Sequence, residues 1–263
     1  MSGTRGGGGG GVRLDRPLET KLGLVMTLSD DDRARLRSLS ETELRFRRGA
    51  ALLSEGAEQD AVYVLKAGWV GCARHLSDGR RQITRFALPG DVVGFDALVQ
   101  HVSTQDASAL SDVTVVVLRP AELIDLAASA PHLGMALLWA TAKDESALAE
   151  RLASIGRRFA LERLAHLFVE TRLRLEALGL AEEDRLHFPV TKEQLADAMG
   201  LTTIHIYRTL RRLTESGLVR LDGAWLEILD LEALKRLGKF DDLYIVPGRI
   251  PEASRRAVRR AKD

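Results

Sequence analysis

The sequence predicts an α+β chain with three successive parts: an antiparallel β domain, one long helix and a winged helix-turn-helix. Three observations carry this prediction. Between residues 44 and 118, short apolar segments are broken by Gly or Asp every ~8–12 residues, which is typical of β sandwiches and barrels. From residue 120 the apolar residues recur with the helical period instead. Residues 191–217 then join two short helical patterns through a glycine, at helix-turn-helix spacing.

The composition excludes several kinds of protein. The chain has 263 residues, of which 38 are basic, 37 are acidic and 45% are apolar, so it suits one or two domains and is too apolar for global disorder. Its one cysteine, Cys72, leaves no internal disulfide and cannot alone supply a zinc site or an iron–sulfur cluster. No apolar run approaches the ~20 residues of a membrane span, and the start lacks the apolar segment of a secretory signal. These features predict a soluble cytoplasmic protein that has no membrane contact.

The charge is distributed unevenly along the chain. Residues 1–150 carry 17 basic and 20 acidic side chains, whereas residues 151–263 carry 21 and 17. The basic excess in the second part suits a polyanionic partner, although this is a weak indication by itself.

The domain boundaries follow from local composition. The glycine run Gly6–Gly11 predicts a disordered arm over residues 1–20. The β domain then covers residues 21–130 and begins with a short helix capped by Ser29. Its segments break at Gly49, Gly56, Gly68, Gly79, Gly90 and Gly94, and Asp78-Gly79 predicts a hairpin. The long helix covers residues 131–156, the winged helix-turn-helix 157–240 and a loose basic tail 241–263.

The long helix carries an apolar stripe that needs a partner. The stripe consists of Leu133, Leu137, Ala140, Ala147, Leu148, Leu152 and Ile155. It can pack within its own chain or against a second copy of the same helix. We favour the second copy, because two small domains offer little surface to cover the whole stripe.

Residues 191–217 fit a helix-turn-helix. Thr191 and Gln194 form a capping box that starts the first helix. Ala196 allows the two helices to cross closely, Gly200 allows the tight turn, and Ile206 anchors the second helix in the core. An ordinary helical hairpin is the alternative. Two short strands around Asp222-Gly223 follow and add a wing.

The outer face of the second helix is basic and predicts contact with double-stranded DNA. Ile204, Arg208 and Arg211 lie opposite the apolar stripe at ~100° per residue. Arginines at these positions suit phosphates and guanine edges. The predicted DNA-binding residues are Lys192, Thr202, Thr203, Ile204, His205, Tyr207, Arg208, Arg211 and Arg212.

These parts together resemble the CRP/FNR family of bacterial transcription regulators over about residues 25–240. The resemblance rests on GWVGCARHLSDGRRQITRFALPGDVVGF in the β half and, more strongly, on LADAMGLTTIHIYRTLRRLTESGLV. It implies a jelly-roll sensor domain, a homodimer joined along the 131–156 helix, and a palindromic operator with half-sites ~34 Å apart. It also implies contact with RNA polymerase, for which the loop around 179–185 is the expected surface.

Departures from the family pattern concern the effector. Members that bind cyclic AMP keep a Glu after Gly94 and an Arg-Ser or Arg-Thr pair further on, whereas this chain has Phe95 and the run Ser103-Thr104-Gln105. A cyclic nucleotide would therefore lack its main cationic partner. The candidate effector pocket comprises Gly94, Phe95, Asp96, Thr104 and Gln105. Its signal stays unidentified, and the domain could also act constitutively.

No cofactor is predicted. The iron–sulfur branch of the family needs four cysteines, and this chain has one. Cys72 and His75 are weak candidates as haem ligands, and Cys72 is a weak candidate as a redox-active thiol. In the second helix, Thr203 and Ile204 replace the Arg and Glu readers of the family, and Arg208 keeps the third position. The operator should therefore differ from that of the cyclic-AMP members.

Two other functions compete with DNA-binding regulation. A metal-dependent enzyme on the β barrel needs two or three converging histidines, whereas the β half offers His75 and His101, far apart in sequence. No nucleophile motif or phosphate loop is present, so no catalytic residue is predicted. The second alternative is a sensor module that works through protein contacts without specific DNA binding. The retained arginines on the second helix argue against it.

Overall fold

The fold comes from a computed structural model that describes residues 13–39, 42–182 and 184–245. It begins with helix α1, Pro17–Gly23, and helix α2, Asp30–Ser38. Ser29 caps α2 as predicted, accepting a hydrogen bond from the Asp32 amide at 3.2 Å. The predicted disorder over residues 1–20 is wrong for residues 13–20, because Leu14 and Leu18 are buried. Residues 1–12 lie outside the described part of the chain.

The β domain is an antiparallel jelly roll, as predicted. Its strands are β1 Glu43–Phe46, β2 Ala51–Leu53, β3 Val62–Ala67, β4 Val70–His75, β5 Arg81–Ala87, β6 Val92–Val93, β7 Asp106–Ala109 and β8 Val113–Leu118. They form two four-stranded sheets, ordered β1-β8-β3-β6 and β2-β7-β4-β5. The six glycines at the predicted breaks all have φ between 78° and 91°. At Gly68 a Cβ would also lie 2.3 Å from the Asp112 carbonyl oxygen, so this turn requires glycine.

Helix α3, Pro120–Ser129, leads into the long helix α4, Pro131–Arg157. The predicted single stripe on α4 is wrong, because its first half is used within the chain. Leu133, Leu137 and Ala140 are buried, and the two leucines belong to the same apolar cluster as α1 and α3. A second line of residues, exposed except for the half-buried Ile155, runs along α4, and we call it the seam: Leu138, Thr141, Glu145, Leu148, Leu152 and Ile155. Its spacing alternates between three and four residues, as in the contact positions of a coiled coil.

The C-terminal half contains the predicted winged helix-turn-helix. Its elements are α5 Ala160–Ala177, β9 Arg185–His187, α6 Lys192–Met199, α7 Thr203–Glu215, β10 Val219–Asp222, β11 Trp225–Ile228 and α8 Leu231–Leu237. The three strands pair in the order β10-β11-β9, and Gly223 allows the tight turn between β10 and β11.

The two halves of the chain share an apolar core. Trp69 of the jelly roll packs edge-on against Phe188 at 5.4 Å between ring centroids, and Phe188 packs in the same way against Phe168 of α5. At the margin of this core, Arg81 of β5 donates from Nη2 to Asp197 of α6 at 2.6 Å. The helix-turn-helix is therefore docked on the sheet of its own chain.

Residues 238–245 fold back over α4 and α5, and we call them the strap. Arg158 donates to the carbonyl oxygens of Gly238 and Lys239, each at 3.0 Å. Tyr244 donates to Glu170 at 3.3 Å, and its ring stacks on His166. The predicted loose tail is therefore wrong for residues 241–245, and residues 246–263 lie outside the described part.

Candidate nucleic-acid interface

Two helix caps and one glycine fix the geometry of α6 and α7. Thr191 Oγ1 accepts from the Gln194 amide at 3.2 Å, and Gln194 Oε1 accepts from the Thr191 amide at 2.9 Å. The predicted capping box is thus confirmed. Gly200 ends α6 with a φ of 64°, in the left-handed region that glycine tolerates best. Thr202 then caps α7 by accepting from the His205 amide at 3.3 Å.

The inner faces of both helices are buried as predicted. Ala196 and Ile206 are buried, so the helices cross closely and α7 is fastened to the core. Thr209 is also buried, and its hydroxyl donates to the His205 carbonyl oxygen at 2.8 Å. This bond satisfies a polar group that would otherwise be costly to bury. The orientation of α7 is therefore set by its core contacts.

The predicted DNA-binding residues lie together on the outer side of the unit. Ile204 is 67% exposed. Seven others are also exposed: Lys192, Thr202, His205, Tyr207, Arg208, Arg211 and Arg212. Thr203 is half-buried. The nine residues thus lie at the start of α6, at the N-cap of α7 and along α7.

The cations of this region differ in how strongly they are engaged. Arg211 donates from Nε to Glu215 Oε1 at 2.7 Å, a bond that raises the pKa of its guanidinium. Lys192 Nζ lies 4.4 Å from the centre of the Tyr207 ring, a distance typical of a cation–π contact. Within the described part of the chain, Arg208 and Arg212 form no ion pair. These two guanidinium groups are the ones that can meet a new partner without breaking an existing bond.

The wing holds a cluster that the sequence analysis missed. Arg185 lies 4.7 Å above the Trp225 ring, and His187 meets the same ring edge-on at 5.5 Å. Burial lowers the pKa of His187, so this imidazole is neutral near pH 7. An aromatic residue opening the second strand of the wing was the available signal. It could not be interpreted without the pairing of β9 with β11.

The five predicted effector-pocket residues also come together. Gly94, Phe95, Asp96, Thr104 and Gln105 line a cavity of about 440 Å³, which we call the effector cavity. Its other walls come from α1, α4, α5 and the strap. A volume of this size is within the range of about 300–1,000 Å³ that is usual for small-molecule sites.

The charged groups of the effector cavity are largely paired with one another. Asp91 accepts from Lys21 at 2.8 Å and is also bonded to Arg174. Although burial opposes its ionisation, these two cations hold the pKa of Asp91 below its usual value. Arg85 donates to Asp144 at 3.0 Å. Lys21, Arg85 and Arg174 are therefore committed to carboxylates of the chain itself.

Candidate chemistry elsewhere in the described residues is sparse. Cys72 is fully buried, and burial raises the pKa of its thiol, which disfavours the reactive thiolate. Among the described residues, no group of three or more His, Cys, Asp or Glu side chains is arranged to hold a metal ion. In that same part of the chain, no helix is both long and apolar enough to span a bilayer.

Comparison with known proteins agrees with this architecture. The Cyclic nucleotide-binding domain family matches residues 43–130, and the Crp-like helix-turn-helix domain family matches residues 162–237. The nitrogen fixation regulation protein FixK of Rhizobium meliloti is 32% identical over 200 residues, which cover 73% of this chain and 85% of FixK. The chain belongs to the CRP/FNR family.

Other members of the CRP/FNR family show the same relation. The transcriptional regulatory protein btr of Bordetella pertussis is 28% identical over 203 residues, covering 77% of this chain and 84% of btr. The structure of FixK2 from Bradyrhizobium japonicum is 27% identical and superposes with a TM-score of 0.68 over 74% of this chain and 96% of FixK2. The chain is a DNA-binding transcription regulator, and the relatives it matches are regulators rather than enzymes.

The cyclic nucleotide implied by one matched domain fits this chain poorly. Phe95 occupies the position where the family resemblance expects a glutamate for the ribose, and no arginine stands at Ser103-Thr104-Gln105. Arg85, which does line the effector cavity, is engaged with Asp144 and with the Val92 carbonyl oxygen. A cyclic phosphate would have to displace these bonds to gain Arg85 as its cationic partner.

Proposed function

We propose that the protein acts as a homodimer on a palindromic operator, with α7 of each copy in the major groove. The observation that carries the proposal is the outer face of α7, where Arg208 and Arg212 are exposed and make no ion pair within the described residues. Two such helices would meet half-sites one turn of DNA apart, ~34 Å.

The nine predicted residues take different roles in this proposal. Arg208 is the guanine reader, because a guanidinium can bond both O6 and N7 of that base. Thr203 and Ile204 meet thymine methyl groups, and His205 bonds a base edge or a phosphate. Thr202 and the cations Lys192, Arg211 and Arg212 position the unit on the phosphate backbone, beside Tyr207.

The seam supports the homodimer. Leu138, Leu148 and Leu152 are exposed in the single chain, although burial of a leucine side chain is normally stabilising. Two α4 helices packed along this line would cover all three. Glu145 interrupts the apolar line and would face its own copy near the two-fold axis, a cost that limits the strength of the pairing.

Several finer assignments follow from the same proposal. Residues 21–130 form a sensor domain, residues 131–156 the dimerisation helix and residues 157–240 the DNA-binding domain. RNA polymerase contacts the loop around residues 179–185, and the protein works in the cytoplasm without catalytic activity. Family analogy supports these assignments.

The operator is best found by genome-wide footprinting of the bound sites, followed by titration of labelled operator DNA. Arg208→Ala should weaken operator binding by ~1–3 kcal/mol while leaving random DNA nearly unaffected. Arg74→Ala is the matched control, because Arg74 is exposed on β4 of the jelly roll. Wild-type affinity should also fall steeply with salt, yet exceed that for random DNA by ~10³ or more.

The alternative is a module that works through protein contacts. It would give equal affinity for operator and random DNA, or an Arg208→Ala variant with unchanged operator affinity. Either result would refute the assignment of α7 as the reading helix.

A further inference from the structure

Two residues that line the effector cavity each have a buried polar atom without a hydrogen-bond partner in the described part of the chain. The atoms are Nη1 of Arg151 and Oδ1 of Asp96. One is a donor and the other an acceptor. Buried polar groups in folded proteins are nearly always hydrogen-bonded, so each unpaired one calls for a specific explanation.

Arg151 is the more unusual of the two. It lies on the last turns of α4, and only 9% of its side chain is exposed. Its Nη2 is 3.7 Å from Glu170 Oε1, and its guanidinium lies 5.8 Å from the Phe86 ring centre. A buried cation with one long ion pair and one free donor can still bind an acceptor, preferably an anionic one.

Asp96 offers the complementary group elsewhere on the cavity wall. Its Oδ2 accepts from both the amide and the hydroxyl of Thr104, at 3.1 and 2.8 Å. These bonds fix the carboxylate and leave Oδ1 for a donor. Asp96 is therefore oriented before any ligand binds.

The rest of the lining limits the kind of ligand. Leu88, Leu137 and Leu178 contribute apolar wall. Five basic and five acidic side chains line the cavity: Lys21, Arg85, Lys143, Arg151 and Arg174 against Asp91, Asp96, Asp144, Glu145 and Glu170. A lining with this balance does not attract a polyanion, but it does suit an apolar molecule with one polar group for each unpaired atom.

We propose that the effector cavity binds a small amphipathic acid, with its carboxylate on Arg151 and a hydroxyl or amino group on Asp96. An apolar body joins the two ends along the leucine wall. The ligand touches α4 through Arg151, and Arg151 faces Glu170 of α5, which belongs to the DNA-binding half. The bound ligand is therefore adjacent to the contact between α4 and the DNA-binding half.

This proposal names the signal of the regulator and in that sense rests on the proposed function. The test is made without DNA, so the two can fail separately. Isothermal titration of the full chain uses 10-hydroxydecanoate with two matched probes: decanoate, which lacks the hydroxyl, and 1-decanol, which lacks the acid. The shorter 6- and 8-carbon hydroxy acids cover the length of the apolar body.

Each protein group should be coupled to its own ligand group. In the wild type, removal of the acid should weaken binding by about tenfold to hundredfold, since a hydrogen bond to a charged group is lost. The Arg151→Met variant should bind 10-hydroxydecanoate and 1-decanol with equal affinity. The Asp96→Asn variant should show a smaller preference for 10-hydroxydecanoate over decanoate than the wild type does. Arg47→Met is the control and should bind like the wild type, because Arg47 is exposed between β1 and β2 and does not line the cavity. Thermal melting of each variant checks that it is folded.

Three results would overturn the proposal. One is no binding of any hydroxy acid of the series at about 1 mM, far above a functional range. Another is equal affinity of the wild type for all three ten-carbon probes, which would indicate apolar adsorption only. The third is an acid preference that Arg151→Met retains while folded. Arg151 and Asp96 lie on different elements. If one of the two variants fails to fold, the other still tests the proposal.

Discussion

Leu152 offers a direct test of how two copies meet. It is 73% exposed and lies in the C-terminal half of the seam. Full burial of a leucine is worth about 2 kcal/mol, so covering this exposed fraction contributes about 1.5 kcal/mol in each copy. In a two-fold symmetric dimer the contribution counts twice, because each copy loses the same contact.

The Leu152→Ala variant should therefore weaken the dimer by about 2–3 kcal/mol, which is roughly 30- to 150-fold in Kd. Analytical ultracentrifugation over a wide concentration range measures this constant directly. Ile124→Ala is the matched control, because Ile124 is 53% exposed but lies on α3, outside the seam. Circular dichroism should show that both variants keep the wild-type helix content.

The reasoning fails if Leu152→Ala changes the dimer constant by less than twofold, or if Ile124→Ala weakens it as much. A wild-type protein that stays monomeric at micromolar concentration would also refute it. In that case the exposed leucines would need another partner.

Three further perturbations probe other parts of the chain. Glu145→Leu should tighten the dimer in the same ultracentrifugation assay, because it removes like charges from the seam; a weaker dimer would mean that Glu145 faces elsewhere. Asp91→Asn should lower the free energy of unfolding by about 3–5 kcal/mol in urea titration, because it leaves buried Arg174 and Lys21 without their carboxylate. Since the pKa of Asp91 is lowered in the folded state, its stabilising contribution is present above the unfolded value of about 3.9 and is lost as pH falls below it. A stability difference between variant and wild type that stays constant from pH 6 to about 3 would contradict this linkage. Gly68→Ala should destabilise by more than about 1 kcal/mol in thermal melting, through backbone strain and a clash with Asp112, whereas exposed Gly79→Ala meets only the strain.

Local rules in the sequence predicted much of the fold. The turns at the β breaks could be predicted from their glycines, because a turn with positive φ selects glycine whatever its surroundings. The N-cap at Ser29 and the capping box at Thr191 could be predicted in the same way, since each depends on residues close together in sequence. The outer face of α7 followed from helical geometry, so the seven predicted DNA-binding residues on this helix could be grouped from their spacing alone.

Features that depend on tertiary contacts could not be predicted in this way. The apolar stripe of α4 gave no sign that its first half would be covered by α1 and α3. Leu14 and Leu18 follow a glycine-rich segment, so the sequence pattern did not indicate that these two residues would be buried. Tyr244 lies in the segment assigned to the tail, and its place on the strap depends on His166, which is 78 residues away in the chain. Burial lowers the pKa of His166 to about 4, so this contact is made by a neutral imidazole.

The effector cavity and the seam have one edge in common. Thr141, Glu145 and Leu148 line the cavity and also lie on the seam. A second copy docked there would form part of the cavity mouth, so ligand binding and self-association would be linked equilibria. Linkage is reciprocal: the factor by which association raises ligand affinity equals the factor by which the ligand raises association. The concentration of this regulator would then set how much ligand is needed to occupy each copy.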